Sequence, residues 1–441
     1  MIERAPVASL GSRGTWLATW NYGLAHFGKS LFWDTSEILL AFFLTEVCAV
    51  PGEQMGFVLA AGLLCSAMID VGVGALLRVR LSSLRYLVRV QFLGAGLSAA
   101  SILLLFSAAW APISIRFPYA IFASVMLRVA YALYDIPQSM LLTLGTSDSD
   151  GRTRLSSLRY VFSGAAGLVV ALALPWLVGA GAQIGRESRF LAYGAVMAII
   201  ALATAWPLAI TFPHDSRIGS APALKPALQA RLRFAPSCDL AMLIAVMFLL
   251  AASVSAFSKL QPYLAAYVLR SPHLGGAIIA AAAVGTVLSQ PLWSSWALRR
   301  SRPAMLCLTI VAMILSCLGF AMVVEWQRWL SLPFAVFFGA AAGGMGMVLW
   351  AAFGDAASLS ARGAEGLAYG VFTASSKVGL AMAILALGRF LAVVDYRGRD
   401  HLDLLAAMTG PPIIGGLICL VLTVVWGRWA YRSPDPVSAP L

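Results

Sequence analysis

Charge is scarce in this chain of 441 residues: Asp, Glu, Lys and Arg together make up 11%, against 60% hydrophobic residues and a mean hydropathy of +0.85. A soluble globule of this size needs more polar surface than that, so this class is excluded. Cysteine is also sparse, and the six present (Cys48, Cys65, Cys238, Cys307, Cys317, Cys419) lie scattered, mostly inside apolar runs, without a CxxC pair. That spacing offers neither a zinc centre nor a disulfide framework and leaves them packing roles. Histidine numbers only four, and HExxH, nucleophile motifs and metal clusters are all missing, so no enzyme and no cofactor are expected. Alternation of apolar and polar residues is absent from runs such as 158–180, which argues against a β-barrel.

What is abundant is apolar run length. A hydrocarbon core of roughly 30 Å takes about 20 apolar residues per helix. The sequence predicts helices over 17–45, 55–77, 89–110, 117–143, 158–180, 190–212, 240–269, 275–298, 304–325, 329–354, 367–393 and 405–430. The expected fold class is an all-α membrane protein with twelve transmembrane helices. With the amino terminus in the cytoplasm, the tails and cytoplasmic loops hold 18 of the 31 Lys and Arg, the external loops seven and the helices six. By the positive-inside rule this predicts a multi-pass protein of the plasma (inner) membrane with both termini cytoplasmic. The net charge of +12 thus belongs to alternate loops, so the expected partners are the lipid bilayer and a small-molecule solute, with no nucleic acid. The first apolar run is longer than a signal-peptide core and carries polar residues, so it is expected to be retained.

A loop at 214–238, with Pro222, Pro226, Pro236 and four cations, separates an N-terminal half (1–213) from a C-terminal half (239–441). Two six-helix bundles joined in this way resemble the major facilitator fold, in which solute binds between the halves. No direct sequence repeat accompanies the division. Glycines cluster inside the predicted helices at Gly72 and Gly74, at Gly339, Gly343, Gly344 and Gly346, and at Gly415 and Gly416. Close helix packing accounts for them, with hinge motion as the alternative. Pro137, Pro175, Pro207, Pro291 and Pro333 are candidate kinks.

Ten of the ionisable residues within the predicted spans are informative: Lys29, Asp34, Glu37, Asp70, Arg128, Asp135, Arg159, Lys259, Lys377 and Arg389. Each charge at a helix centre costs roughly 2.5–3.5 kcal/mol on insertion scales. They must therefore pair, line a wet cavity or snorkel to an interface; Arg159, at a predicted cytoplasmic helix start, and Arg389, near an external end, are placed to snorkel. Ser30, Asp34 and Glu37 share one helical face with Trp33 alongside, and Arg128 and Asp135 share another with Tyr131 between them. One reading is an ion-pair network such as Arg128 with Asp34 or Glu37. The other is a polar cavity for a hydroxyl-rich or charged solute: carboxylates accept hydrogen bonds, Arg donates in a fork and the rings cover apolar faces. Asp70, flanked by Met68, Ile69, Val71 and Gly72, is either a proton carrier or a hydrogen-bonding residue between helices. Lys377 is the C-terminal cation expected to face the cavity or to neutralise an N-terminal carboxylate.

At these residues the chain resembles the glycoside–pentoside–hexuronide cation symporters, the melibiose-permease family. The similarity lies in Tyr22-Gly-Leu-Ala-His-Phe-Gly-Lys29, in Met68-Ile-Asp70, in Tyr131-Ala-Leu-Tyr-Asp-Ile-Pro137 followed by Arg159, and in Glu365-Gly-Leu-Ala-Tyr369 running on to Lys377. The resemblance implies solute-binding roles for Asp135 and Arg159, a cation-site role for Asp70 and a coupling role between the halves for Lys377, with Lys29 in the opening motif. The chain departs from the family pattern at Ser30, Val73, Gly74, Ala132 and Ser139. With one carboxylate left at the cation site, sodium, a hard ion that wants several oxygen ligands, is a poor fit and a proton a better one.

The sequence thus predicts a proton-coupled symporter of a small polar solute, a sugar or glycoside. Asp70 would bind the proton, while Asp34, Glu37, Arg128, Asp135, Arg159, Trp33 and Tyr131 would form the solute site, with Lys377 and Lys29 coupling. Two alternatives stay open: an exporter of an amphipathic or zwitterionic compound, and a non-transporting assembly or sensor protein that kept the fold.

Overall fold

Each long apolar run forms a helix in the computed structural model, which describes residues 16–76, 84–144, 149–179, 185–211, 237–297, 299–360, 365–398 and 402–430. Most of the 214–238 loop, with its prolines and cations, lies outside the described residues, as do Arg78, Arg80 and Arg362. The helices are α1 (Trp16–Ile38), α2 (Gly52–Leu76), α3 (Leu84–Phe106), α4 (Ile113–Leu144), α5 (Ser149–Val178), α6 (Arg186–Thr211), α7 (Cys238–Tyr263), α8 (Pro272–Ala297), α9 (Arg302–Val323), α10 (Ser331–Ser360), α11 (Glu365–Val393) and α12 (Leu402–Ala430). No strand occurs among the described residues. Eleven of these helices are long and apolar enough to cross a membrane by composition alone. The first, α1, carries Lys29, Asp34 and Glu37 within nine residues, and this charge density distinguishes it from the rest.

The first and seventh crossings end alike. Beyond α1 the chain continues through Leu40–Phe42 into a π-turn, Phe43–Val47; beyond α7 it enters a π-turn at Leu264–Val268, in the same register 221 residues later. The turns close with matching backbone bonds, Cys48 to Phe43 and Val50 to Leu44 in one, Leu269 to Leu264 and Ser271 to Ala265 in the other. Each then passes through a left-handed residue, Ala49 at φ 53° and Arg270 at φ 49°. The structure thus holds a local repeat that no residue-by-residue similarity reveals.

Small residues let the two sets of helices, α1–α6 and α7–α12, meet closely. Along α2 and α11, a Cβ added at Gly52 would sit 2.7 Å from the Gly388 carbonyl oxygen, and one at Gly370 2.7 Å from the Asp70 carbonyl oxygen. Along α5 and α8, Gly167 faces Ala283 and Gly276 faces the Ala171 carbonyl and Pro175. Gly339, Gly343 and Gly344 of α10 seat Ala282, Gln290 and Trp293 of α8, so this cluster serves packing. Pro137, Pro175, Pro207 and Pro291 lie inside helices. Pro333 does not: it occupies the first turn of α10, where the missing N–H has no intrahelical partner to lose, so the expected kink there is corrected.

Candidate functional site

The charged stripes of α1 and α4 face each other. Trp33 and Tyr131 lie with ring centroids 5.8 Å apart, and the Arg128 guanidinium stands 5.4 Å over the Trp33 ring. Tyr131 is in electrostatic reach of Asp34, Arg128, Asp135 and Arg159.

Three ion-pair groups occupy this region. Lys29 Nζ lies 2.5 Å from Asp135 Oδ1, joining α1 to α4. Glu37 is shared: Lys259 Nζ donates to Oε2 at 2.6 Å from α7, and Arg128 approaches Oε1 at 3.5 Å from α4. Glu37 Oε1 is buried and makes no hydrogen bond. Lys377 Nζ on α11 lies 2.7 Å from Asp70 Oδ2 and also donates to Ser66 Oγ at 2.7 Å, both partners on α2. Lys377 and Asp135 also sense each other's charge, which ties the pairs of α4 and α11 into one field. Two of the three groups therefore cross from one set of helices to the other.

Asp70, read from the sequence as an isolated carboxylate, has a lysine partner. Arg128 takes Glu37 rather than Asp34, and Lys29 takes Asp135. Arg159 is not at a helix start, because α5 begins at Ser149; it lies in the third turn, near Tyr22, Asp135, Tyr160 and Tyr131. Arg389 is exposed and pairs with Glu53, in keeping with its interfacial position. Neither Asp34 nor Arg159 makes an ion pair or a side-chain hydrogen bond among the described residues. Asp34 Oδ2 looks toward Gly167 of α5, at 3.8 Å from a Cβ placed there.

Lys259 counted among the intramembrane charges, but no motif assigned it a partner. Ser163 was missed altogether: its hydroxyl lies 2.9 Å from Ser30 Oγ and 3.1 Å from His26 Nε2. The only available signal was small polar residues on facing helices, too common to single out. A cavity of about 790 Å3 between α2, α7 and α11 is lined by Val71, Ile244, Phe248 and Val371 among others and by none of the candidate charges. Those charges pack on one another instead.

At the end of the bundle away from α1's first turn, a second polar cluster bridges the helix sets. Thr45 and Tyr263 hydroxyls lie 2.7 Å apart. Glu46 accepts hydrogen bonds from Tyr267, from Tyr396 at 2.6 Å and from Arg397 at 2.8 Å. Hydrogen bonding to Glu46 raises the already high pKa of the Arg397 guanidinium, so this bridge stays charged.

An all-helical membrane bundle with charges paired across its two helix sets defines the class of major facilitator transporters. Solved structures of that class superpose over almost the whole chain. A mutant of the nucleoside transporter NupG matches with a TM-score of 0.67 at 13% identity, over 92% of this chain and 99% of that one. The xylose transporter XylE from E. coli matches with a TM-score of 0.63 at 12% identity, over 96% and 99%. In sequence, an uncharacterized symporter, sll1374 of Synechocystis sp., is 26% identical over 221 residues, 48% of this chain and 39% of its own length. The match thus spans about two fifths of that relative. Residues 21–426 match the family described as MFS/sugar transport protein, and the chain belongs to that family.

Proposed function

We propose that the protein is a proton-coupled symporter of a small polar solute, a sugar or glycoside, working by alternating access of halves at 1–213 and 239–441. It would lie in the plasma (inner) membrane with both termini cytoplasmic. The observation that carries this reading is the Asp70–Lys377 pair at 2.7 Å between α2 and α11. A proton on Asp70 cancels the attraction and frees Lys377, which converts proton binding into a change of contact between the halves. A single carboxylate already paired with a lysine is a weak cage for a hard cation such as sodium. Asp135, with Lys29, and the group of Asp34, Glu37, Arg128, Arg159, Trp33 and Tyr131 form the solute site. The symporter relative favours the same direction of coupling.

Uptake into proteoliposomes, with a panel of labelled sugars and glycosides, tests this. An inward proton gradient is expected to drive accumulation and a sodium gradient to have no effect, and Asp70→Asn is expected to keep exchange while losing accumulation. Sodium-driven uptake, or full proton-driven accumulation by Asp70→Asn, would refute the coupling scheme.

A further inference from the structure

Of the ten span charges named from the sequence, nine remain once the interfacial Arg389 is set aside, and seven of them are paired: Lys29 with Asp135, Glu37 with Arg128 and Lys259, and Asp70 with Lys377. The remaining two, Asp34 and Arg159, are of opposite sign, and neither has a partner among the described residues. Both are half-buried, and both are in electrostatic reach of Tyr131. Asp34 faces α5 at Gly167, a position about 12 Å along that helix from Arg159 by the helical rise.

No ion pair among the described residues neutralises either charge. Near Asp34 are Glu37 on its own helix, Tyr131 of α4 and Tyr193 of α6, none of them a cation. Asp135 is in reach of Arg159, but its Oδ1 is held by Lys29 at 2.5 Å. A proton would settle Asp34 and leave Arg159 as it is, because a guanidinium does not give up its charge. A neutral sugar could donate and accept hydrogen bonds at both ends without neutralising either.

We infer that the solute is zwitterionic: a cationic amine meets Asp34 and a carboxylate meets Arg159, with the Trp33–Tyr131 pair beside the span that joins them. Asp34 supplies two acceptor oxygens for an ammonium. Arg159 offers a planar fork suited to a carboxylate. This rests on the reading of the chain as a solute carrier and sharpens its substrate class to a glycoside, or a compound of similar length, bearing both charges.

Binding to the purified full-length transporter, read as thermal stabilisation without any gradient, separates this inference from the proton-coupling scheme. The probes are a series of ω-amino acids from aminobutanoate to aminodecanoate, the matching ω-hydroxy acids and alkylamines, and glucose. Stabilisation is expected to peak at one chain length of the amino-acid series and to exceed that of both singly charged series at that length. Asp34→Asn should weaken the best amino acid by about tenfold or more, the loss of one charge-assisted hydrogen bond, and leave the hydroxy acid of that length unchanged. Arg159→Gln should do the reverse with the amine. Both variants remove an unpaired charge, so their melting temperatures without ligand are expected to equal or exceed the parent's. Stabilisation by glucose alone, by no member of the amino-acid series, or an amino-acid preference that survives Asp34→Asn would overturn the inference. So would a lower ligand-free melting temperature of both variants, which would mean that each charge has a partner.

Discussion

Lys377→Met is the perturbation whose cost follows most directly from the geometry. At an effective dielectric of about 20, unit charges 2.7 Å apart attract by roughly 6 kcal/mol. Both side chains are only 7% exposed, and taking each ion out of water costs several kcal/mol, so the intact pair is near break-even against an apolar pair of the same shape. Removing one partner is a different matter: Asp70 would remain buried without a cation, which costs about 3–5 kcal/mol. Asp70→Asn in the parent strands Lys377 in turn, although Ser66 still accepts one of its hydrogens. The double variant Asp70→Asn/Lys377→Met should return to within about 1 kcal/mol of the parent, as a neutral pair leaves no bare ion. Unfolding of the four proteins in mixed micelles closes the cycle, and a coupling energy above about 2 kcal/mol is expected. If the single costs simply add, the two residues do not act as a pair, and the proton-release scheme built on them fails with it.

Two further changes probe other parts of the bundle. Gly285→Leu places a side chain where the Val336 carbonyl oxygen already stands, and a loss of about 1–3 kcal/mol from overpacking between α8 and α10 is expected in the same unfolding assay; an unchanged midpoint would mean that these helices do not approach so closely. Glu46→Gln removes the charge that draws Arg397 and both tyrosines together, so a cysteine placed at Thr45 should become more reactive to a membrane-impermeant maleimide. Equal labelling with and without the Glu46→Gln change would show that the cluster does not close that end.

Helix positions were readable because lipid imposes one simple demand on every crossing. The reading failed where that demand lapses. Over 149–157 the helix α5 runs ahead of the apolar run, so the helix begins nine residues before the crossing, which itself starts at Leu158 as composition predicts. The faces of α1 and α4 followed from periodicity, since residues three, four and seven apart on one helix share a side. Partner choice did not. Glu37 and Lys259 are 222 positions apart, and only the packing of α1 on α7 brings them together. Asp70 read as isolated for the same reason: its cation sits on α11. The cluster of Glu46, Tyr267, Tyr396 and Arg397 escaped notice because charged and aromatic residues at crossing ends are ordinary interfacial anchors.

The distribution of pairs also bears on how such a bundle moves. Glu37–Lys259, Asp70–Lys377 and the Glu46 cluster each join one helix set to the other. An apolar seam of equal area would hold the sets together with no competitor, because separating it has no compensating term. A buried ion pair has one: when water reaches the two charges, hydration returns much of what separation removes, so the paired and opened forms lie close in free energy. The contacts that must slide are lined by glycine and alanine along α2 with α11 and α5 with α8, where few interlocking side chains resist displacement. Charges at the pairs set which form is favoured, and a solute or proton that changes their balance shifts the population by its differential affinity for the two forms. The costly intramembrane charges therefore contribute little net stability and a great deal of switchability.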